Sequence, residues 1–406
     1  MSGRKVLVTG LGVVSPMGSD LEAFWDSLCT ETIPPRELDD AFLGRAHMDN
    51  RLFHLVADPG EDAIPAGGGR ATAFALRAAE AALRDAGLDP EAMDGIGLKD
   101  AVIGVAMGTA AGDTDAWESE RSATGGLAAP GPFPYRSAHA VAGRFGLTGP
   151  NFSVSTACSA AGYGISLACE AIRSGQADVM VAGGAESVSR VTQGCFNRLM
   201  ALDPESCRPF DVDRKGTVMG EGAAVLILES EAHARKRGRR AYAELKGWGW
   251  SCDGHNPTAP DPAGIQAEAA LRGSLAAAGV EPGEVDCVVP HGTGTALNDS
   301  IEGEVLARVF RERLPGLKVS PIKGKLGHGA GASAAFSCLA ACLILRTGKI
   351  PPAGNLQTQD PECRLSLHRG SPLLAKVGHA LVSSYAFGGN NISLVLGRPA
   401  TETAAP

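Results

Sequence analysis

Short runs of consecutive apolar residues alternate along the chain with longer stretches whose apolar positions recur every three or four residues. The first pattern predicts buried strands and the second predicts helices, and their alternation predicts an α/β protein. Strands are expected over Lys5–Thr9, Asp100–Val105, Phe152–Ser155, Asp178–Ala182, Ala224–Glu229, Val285–Pro290, Leu381–Ser384 and Ile392–Leu396. Helices are expected over Thr72–Ala86, Cys158–Ser174, Ala263–Ala278, Glu302–Arg311 and Ala332–Arg346. Residues 31–69 carry prolines, glycines and weak periodicity, and read as an excursion from the core.

The pattern also repeats itself. Asp100-Ala-Val-Ile, leading to Gly108-Thr109-Ala110, echoes Asp286-Cys-Val-Val, leading to Gly294-Thr295-Ala296. The helix ending Ala168-Cys169…Arg173-Ser174-Gly175 echoes the one ending Ala341-Cys342…Arg346-Thr347-Gly348. Two copies of one α/β unit are expected, residues 1–240 and 241–406, with a site at their junction. The period is far too long for a solenoid.

Composition narrows the class. At 406 residues with 44% hydrophobic and 20% charged positions, the chain can bury a sizeable core, which excludes disorder and a small disulfide scaffold. A formal charge of −8 makes general nucleic-acid binding unfavourable. The one dense basic run, Arg235-Lys236-Arg237-Gly238-Arg239-Arg240, reads as a solvated helix end. Ten cysteines at irregular spacing, none in a C-x-x-C pair, suit buried small hydrophobes or one functional thiol, not a disulfide framework or a zinc site. No secretory segment precedes the first strand and no run of 18 apolar residues is expected. A reducing cytoplasm is the default compartment and no membrane is called for.

Four stretches could carry chemistry. Phe152-Ser-Val-Ser-Thr-Ala-Cys158-Ser-Ala-Ala-Gly reads as strand, sharp turn and helix. It places Cys158 at a helix N-terminus, where free N–H groups and the dipole favour a thiolate; a buried structural cysteine is the bland alternative. His291-Gly-Thr-Gly-Thr295 follows a strand, where α/β proteins place ligands, and lacks the lysine of a phosphate loop. Lys323-Gly-Lys-Leu-Gly-His328 forms a third turn, expected to be the second copy of the Cys158 elbow. Ser383-Ser-Tyr-Ala-Phe387-Gly388-Gly389-Asn390-Asn391 lies between two strands, as a hairpin turn or as N–H donors for an oxyanion. One Cys and two His converging need neither metal nor cofactor for acyl chemistry.

Taken in order, Thr-Ala-Cys158-Ser, His291-Gly-Thr-Gly-Thr, Lys323-x4-His328 and Phe387-Gly-Gly-Asn resemble the motifs of the β-ketoacyl-[acyl carrier protein] synthases, ketosynthases of the thiolase superfamily. The branch most similar is the elongating, Cys-His-His type of type II fatty-acid and polyketide systems. The resemblance runs from Val8-Thr-Gly-Leu-Gly-Val-Val-Ser-Pro16 through Arg208-Pro-Phe-Asp and Pro351-Pro-Ala-Gly-Asn-Leu356 to the last strand. It implies the thiolase-like five-layered α-β-α-β-α fold, a homodimer, and decarboxylative Claisen condensation with malonyl on an acyl carrier protein. No cofactor beyond the carrier's phosphopantetheine arm is implied.

By the same resemblance Cys158 is the nucleophile, and the N–H groups of Cys158 and Phe387 form the oxyanion hole. His291 and His328 assist decarboxylation, Lys323 is an electrostatic lysine partnered by Glu302, and Phe387 is a gate. Thr293, Thr295, Ala111, Gly388 and Gly389 are implied to meet substrate, with Ala111 opening the acyl pocket wall. Arg70 and Arg208 are implied to dock the acidic carrier. The chain departs from the pattern at Ser159-Ala160, at Gly331-Ala-Ser-Ala and at Ala66-Gly-Gly-Gly69. Alternatives are a ketosynthase-like acyltransferase or cyclase without chain extension, a subunit of a heterodimer with a chain-length partner, and a thiolase; Cys363 lies in no second thiolase cysteine motif.

Overall fold

The computed structural model describes residues 4–44, 48–57, 68–88, 101–124 and 133–399. Ten strands form its main sheet: β1 (Val6–Val14), β2 (Ile103–Gly108), β3 (Asn151–Val154), β4 (Val179–Glu186), β5 (Gly222–Ser230), β6 (Ala243–Cys252), β7 (Cys287–Val289), β8 (Lys318–Val319), β9 (His379–Tyr385) and β10 (Asn390–Gly397). Their spatial order is β8-β7-β9-β10-β6-β1-β5-β4-β2-β3. Counted from its free edge, the first half runs third, second, fourth, fifth, first strand of its own copy, and the second half runs the same way. The halves meet where β1 pairs antiparallel with β6, Val6 opposite Leu245 and Val8 opposite Ala243.

Helices divide into three layers. The Ala-rich α1 (Arg70–Asp85) and α2 (Arg136–Phe145) cover the outer face of the first half, and α5 (Ile265–Ala278) and α6 (Ala296–Phe310) cover that of the second. Between the halves lie α3 (Ala160–Arg173) and α7 (Ser333–Thr347), giving the five-layered arrangement. Every residue of α7 from Ser333 to Leu345 is buried. Each Leu or Ile in that layer contributes about 1.5–3 kcal/mol by leaving water. The segment Ala330–Thr347 is 18 residues long and apolar enough to cross a membrane by length and composition, contrary to the expectation of no such run. Its burial between the two halves of the sheet accounts for the apolarity, because a central layer has no solvent face.

All eight expected strands are present in the described residues, apart from Asp100, which lies outside them. The ten-residue β6 was not expected. Its glycines lower strand propensity, yet they are where α5 presses closest: a Cβ on Gly249 would lie 2.2 Å from the Ala270 carbonyl oxygen. Gly12 of β1 meets α1 in the same way, 2.0 Å from the carbonyl oxygen of Ala78. Both copies thus use strand glycines to seat their outer helix.

The basic run is only partly a solvated helix end. A short helix, α4 (Glu231–Lys236), stops before Arg237, whose side chain is 5% exposed and donates to the fully buried Glu229 at 2.9 Å. Arg237 and Arg239 also donate to the carbonyl of Ala86 at 3.0 and 2.7 Å, just past the end of α1. Those arginines cap a neighbouring helix end, where free carbonyls and the dipole favour a cation.

Candidate active site

After β3 the chain makes a tight turn, Ala157–Ser159, before entering α3. Ala157 sits at φ +48°, a left-handed conformation that costs a non-glycine residue roughly 1–2 kcal/mol. The elbow sets Cys158 at the mouth of the central helix layer, with its own N–H and that of Phe387 directed at its sulfur. The second half repeats the device: a turn at Ala330–Ala332, with Ala330 at φ +38°, leads into α7. By this register the counterpart of Cys158 is Gly331, three residues beyond His328, so the expected equivalence of Cys158 and His328 is corrected. His328 instead stands before the elbow, its N–H donating to Val218 O at 2.8 Å and its carbonyl accepting from Gly220 N at 3.0 Å.

The helix dipole does not win at Cys158. Burial pushes its thiol up to about 12, against the smaller downward pull of Lys323 and the two N–H groups, while Glu186 pushes the same way as burial. The resting group is a thiol, not the thiolate expected from sequence.

His291 follows β7 and is held from below by α6. His291 N–H and Gly292 N–H donate to the two oxygens of Glu302 at 2.8 and 2.7 Å, and Ser383 Oγ donates to Glu302 at 2.7 Å. Asp299 takes the N–H groups of Thr293 and Gly294 in the same manner. The helix begins at Ala296, six residues earlier than expected, so Asp299 and Glu302 share one face near its N-terminus, three residues apart. Burial pushes Glu302 up to about 7 despite three donors.

Lys323 is buried, and its ammonium donates to the main-chain oxygen of His291. Glu302 acts on it through its charge, the largest favourable one on the buried ammonium, while the direct hydrogen bond goes to His291. Burial and the nearby ammonium hold both His291 and His328 well below the ordinary histidine range, so both rings are neutral.

The rings of His291 and His328 meet edge to face, centroids 5.6 Å apart at 85°. Phe196 lies 6.0 Å from His328 and stacks on Phe387 at 5.3 Å. His328 Nδ1 and Ser333 Oγ are 2.8 Å apart. His291, His328, Phe196 and Phe387 line one cavity of about 410 Å³, together with Cys158, Thr293, Thr295, Tyr385 and Asn391. Leu199, Met200 and Leu297 form an exposed apolar rim. Neutral imidazoles, a thiol and two aimed N–H groups in one cavity can form an acyl-enzyme and stabilise an enolate. Among the described residues, no group of three or more His, Cys, Asp or Glu side chains could hold a metal ion.

Other expected site residues fall elsewhere. Gly388 and Gly389 form the turn between β9 and β10 and do not line the cavity, whereas Phe387 does. Ala111 is likewise absent from the lining, and its N–H donates to Glu186 at 2.9 Å. Arg70 pairs with the fully buried Glu221 and lies over the Phe74 ring, and Arg208, 9% exposed, pairs with Asp203 and Glu205. Arg70 is held by a fully buried carboxylate, and Arg208 bridges the buried Asp203 at 3.5 Å and the exposed Glu205 at 2.7 Å, so neither is the free surface cation that the docking role expects. Ala66 and Gly67 lie outside the described residues.

Sequence reasoning also passed over Glu186, which ends β4 and accepts from the N–H groups of Ala110, Gly112 and Gly331 at 2.7, 2.8 and 3.0 Å. A lone acid closing an apolar strand, after Gly183-Gly-Ala, was its only signal.

Comparison with known proteins gives a consistent picture. Residues 3–234 match the family model described as beta-ketoacyl synthase, N-terminal domain, and residues 242–357 match its C-terminal domain. The 3-oxoacyl-[acyl-carrier-protein] synthase 2 of Rhizobium meliloti (strain 1021) is 34% identical, covering 97% of this chain and 99% of that protein. The tetracenomycin polyketide synthase ketoacyl synthase alpha subunit of Streptomyces glaucescens is also 34% identical, covering 98% and 97%. Among solved structures, the ishigamide ketosynthase/chain length factor superposes with TM-score 0.87 at 32% identity, over 98% of this chain and all of that one. A type II polyketide acyl-carrier protein in complex with its hexaketide-bound ketosynthase gives TM-score 0.86 at 28% identity, again over 98% and all of the two chains.

Proposed function

The chain belongs to the β-ketoacyl synthase family, and on that premise we propose how its own residues carry out decarboxylative Claisen condensation in fatty-acid or type II polyketide synthesis. Cys158 Sγ attacks the thioester carbonyl of an acyl-carrier, and the oxyanion is received by the N–H groups of Cys158 and Phe387. The carrier's sulfur leaves with the thiol proton. Malonyl-carrier then enters the same cavity and loses carbon dioxide. The neutral rings of His291 and His328 stabilise the enolate oxygen, and a resident cation at Lys323 favours the developing negative charge. The enolate carbon attacks the acyl carbonyl, the bond to Cys158 breaks with its electron pair left on Sγ, which takes a proton from solvent to restore the thiol, and a β-ketoacyl-carrier lengthened by two carbons departs. Phe387, stacked on Phe196, stands as the gate between the two ends, and Thr293 and Thr295 face the entering arm.

One observation supports this reading above others: a single cavity joins Cys158, its two aimed N–H groups and two neutral histidines. No cofactor is drawn on beyond the carrier's phosphopantetheine arm. The partner proposed is an acyl carrier protein, and the setting is the reducing cytoplasm, where ten free thiols persist. A second chain, identical or a chain-length partner, is proposed along β3. Among the described residues that strand pairs only with β2, and an unpaired edge invites another strand.

The test is intact-protein mass spectrometry. Acyl-carrier should add one acyl group to the wild-type chain and none to Cys158→Ala. Malonyl-carrier should then discharge the adduct as a β-keto product. An adduct that malonyl-carrier leaves in place would instead favour the acyltransferase or cyclase reading.

A further inference from the structure

The two cavity histidines are held differently. His291 has a buried Nδ1 without a partner, whereas His328 Nδ1 lies 2.8 Å from the hydroxyl of Ser333, five residues on at the first position of α7. Ser333 is 3% exposed, and among the described residues its hydroxyl has no other hydrogen-bond partner. The bond can run either way. If Nδ1 carried the proton and donated, the serine hydrogen would be a buried donor with no acceptor, the costlier kind of orphan. If the serine donates, both groups are satisfied and the ring proton sits on Nε2, the nitrogen left to face the cavity that His328 lines.

We propose that Ser333 is a positioning residue that fixes His328 as the Nε2–H tautomer and so aims a hydrogen-bond donor, not an acceptor, at the substrate oxygen. Because His328 is neutral, its tautomer alone decides which of the two it offers. His291, with no side-chain partner on Nδ1, carries no such lock. The inference rests on the condensing reading for its chemical consequence but not for its geometry.

Nitrogen-15 NMR of histidine-labelled protein near neutral pH tests it, with His328 identified by the signal lost in His328→Gln. The wild-type spectrum is expected to show an unprotonated Nδ1 and a protonated Nε2. In Ser333→Ala the two tautomers should mix, and kcat for malonyl-carrier decarboxylation should fall about tenfold with KM unchanged, the scale of one lost hydrogen bond. A protonated Nδ1 in the wild type overturns the proposal, and so does an unaltered tautomer in Ser333→Ala, whatever its rate. Should Ser333→Ala fail to fold, the wild-type spectrum still decides. A wild-type protein that never decarboxylates malonyl-carrier would overturn the condensing reading while the spectrum judged Ser333 separately.

Discussion

The thiol of Cys158 lies under opposing influences, and their balance sets its reactivity at rest. Two N–H groups and the Lys323 ammonium favour the thiolate, while full burial and the Glu186 carboxylate disfavour it, and burial is the largest. With its pKa up near 12, only a small fraction is ionised at neutral pH. Alkylation of Cys158 by iodoacetamide should therefore rise about tenfold for each pH unit between about pH 7 and pH 10, without a plateau. The exposed Cys195 and Cys252 serve as internal references in the same peptide map. Lys323→Met should slow Cys158 further at every pH, since that charge lowers the thiol pKa; a plateau below pH 9 would sink this account. Arg70 and Arg208 carry the parallel lesson for charge. In sequence they are cations matching docking positions, but each is held by an internal carboxylate and has little surface left to offer.

At the scale of elements, the two elbows fix the site. Gly331 occupies the place in the second elbow that Cys158 holds in the first, and it packs against the loop after β2. A Cβ there would stand 2.3 Å from Ala110 N and 2.4 Å from the Thr109 carbonyl carbon, so the backbone itself must move. Gly331→Ala should cost about 1–3 kcal/mol or more in denaturant unfolding and reduce condensation, because the Glu186 bonds to that loop break with it. Gly143, inside α2, meets nothing within 4 Å, and Gly143→Ala should stabilise by about 0.5–1 kcal/mol. Opposite signs from the same substitution separate close approach from helix propensity. The strand β6 shows the converse: Gly247 and Gly249 lower its strand propensity, yet α5 lies so close that a Cβ at either would meet its backbone.

For the whole molecule, two half-sheets of identical strand order close around α3 and α7, leaving β3 as an exposed edge. If that edge joins a second copy, native mass spectrometry should report twice the 41.6 kDa of one chain, and a mass near 41.6 kDa alone would leave the chain-length partner as the occupant to seek. The eight expected strands, the internal echo, and the motifs around Cys158, His291, Lys323 and His328 were determined by local sequence alone. Period, turn residues and motif order are properties of neighbours along the chain. What only the tertiary structure decided are the quantities that depend on distant neighbours. These are the neutral thiol, the Lys323 bond to His291 rather than Glu302, the paired arginines, the unforeseen β6 and the role of Glu186. Burial and long-range hydrogen bonds set each of these, and neither is written in the spacing of residues along one segment.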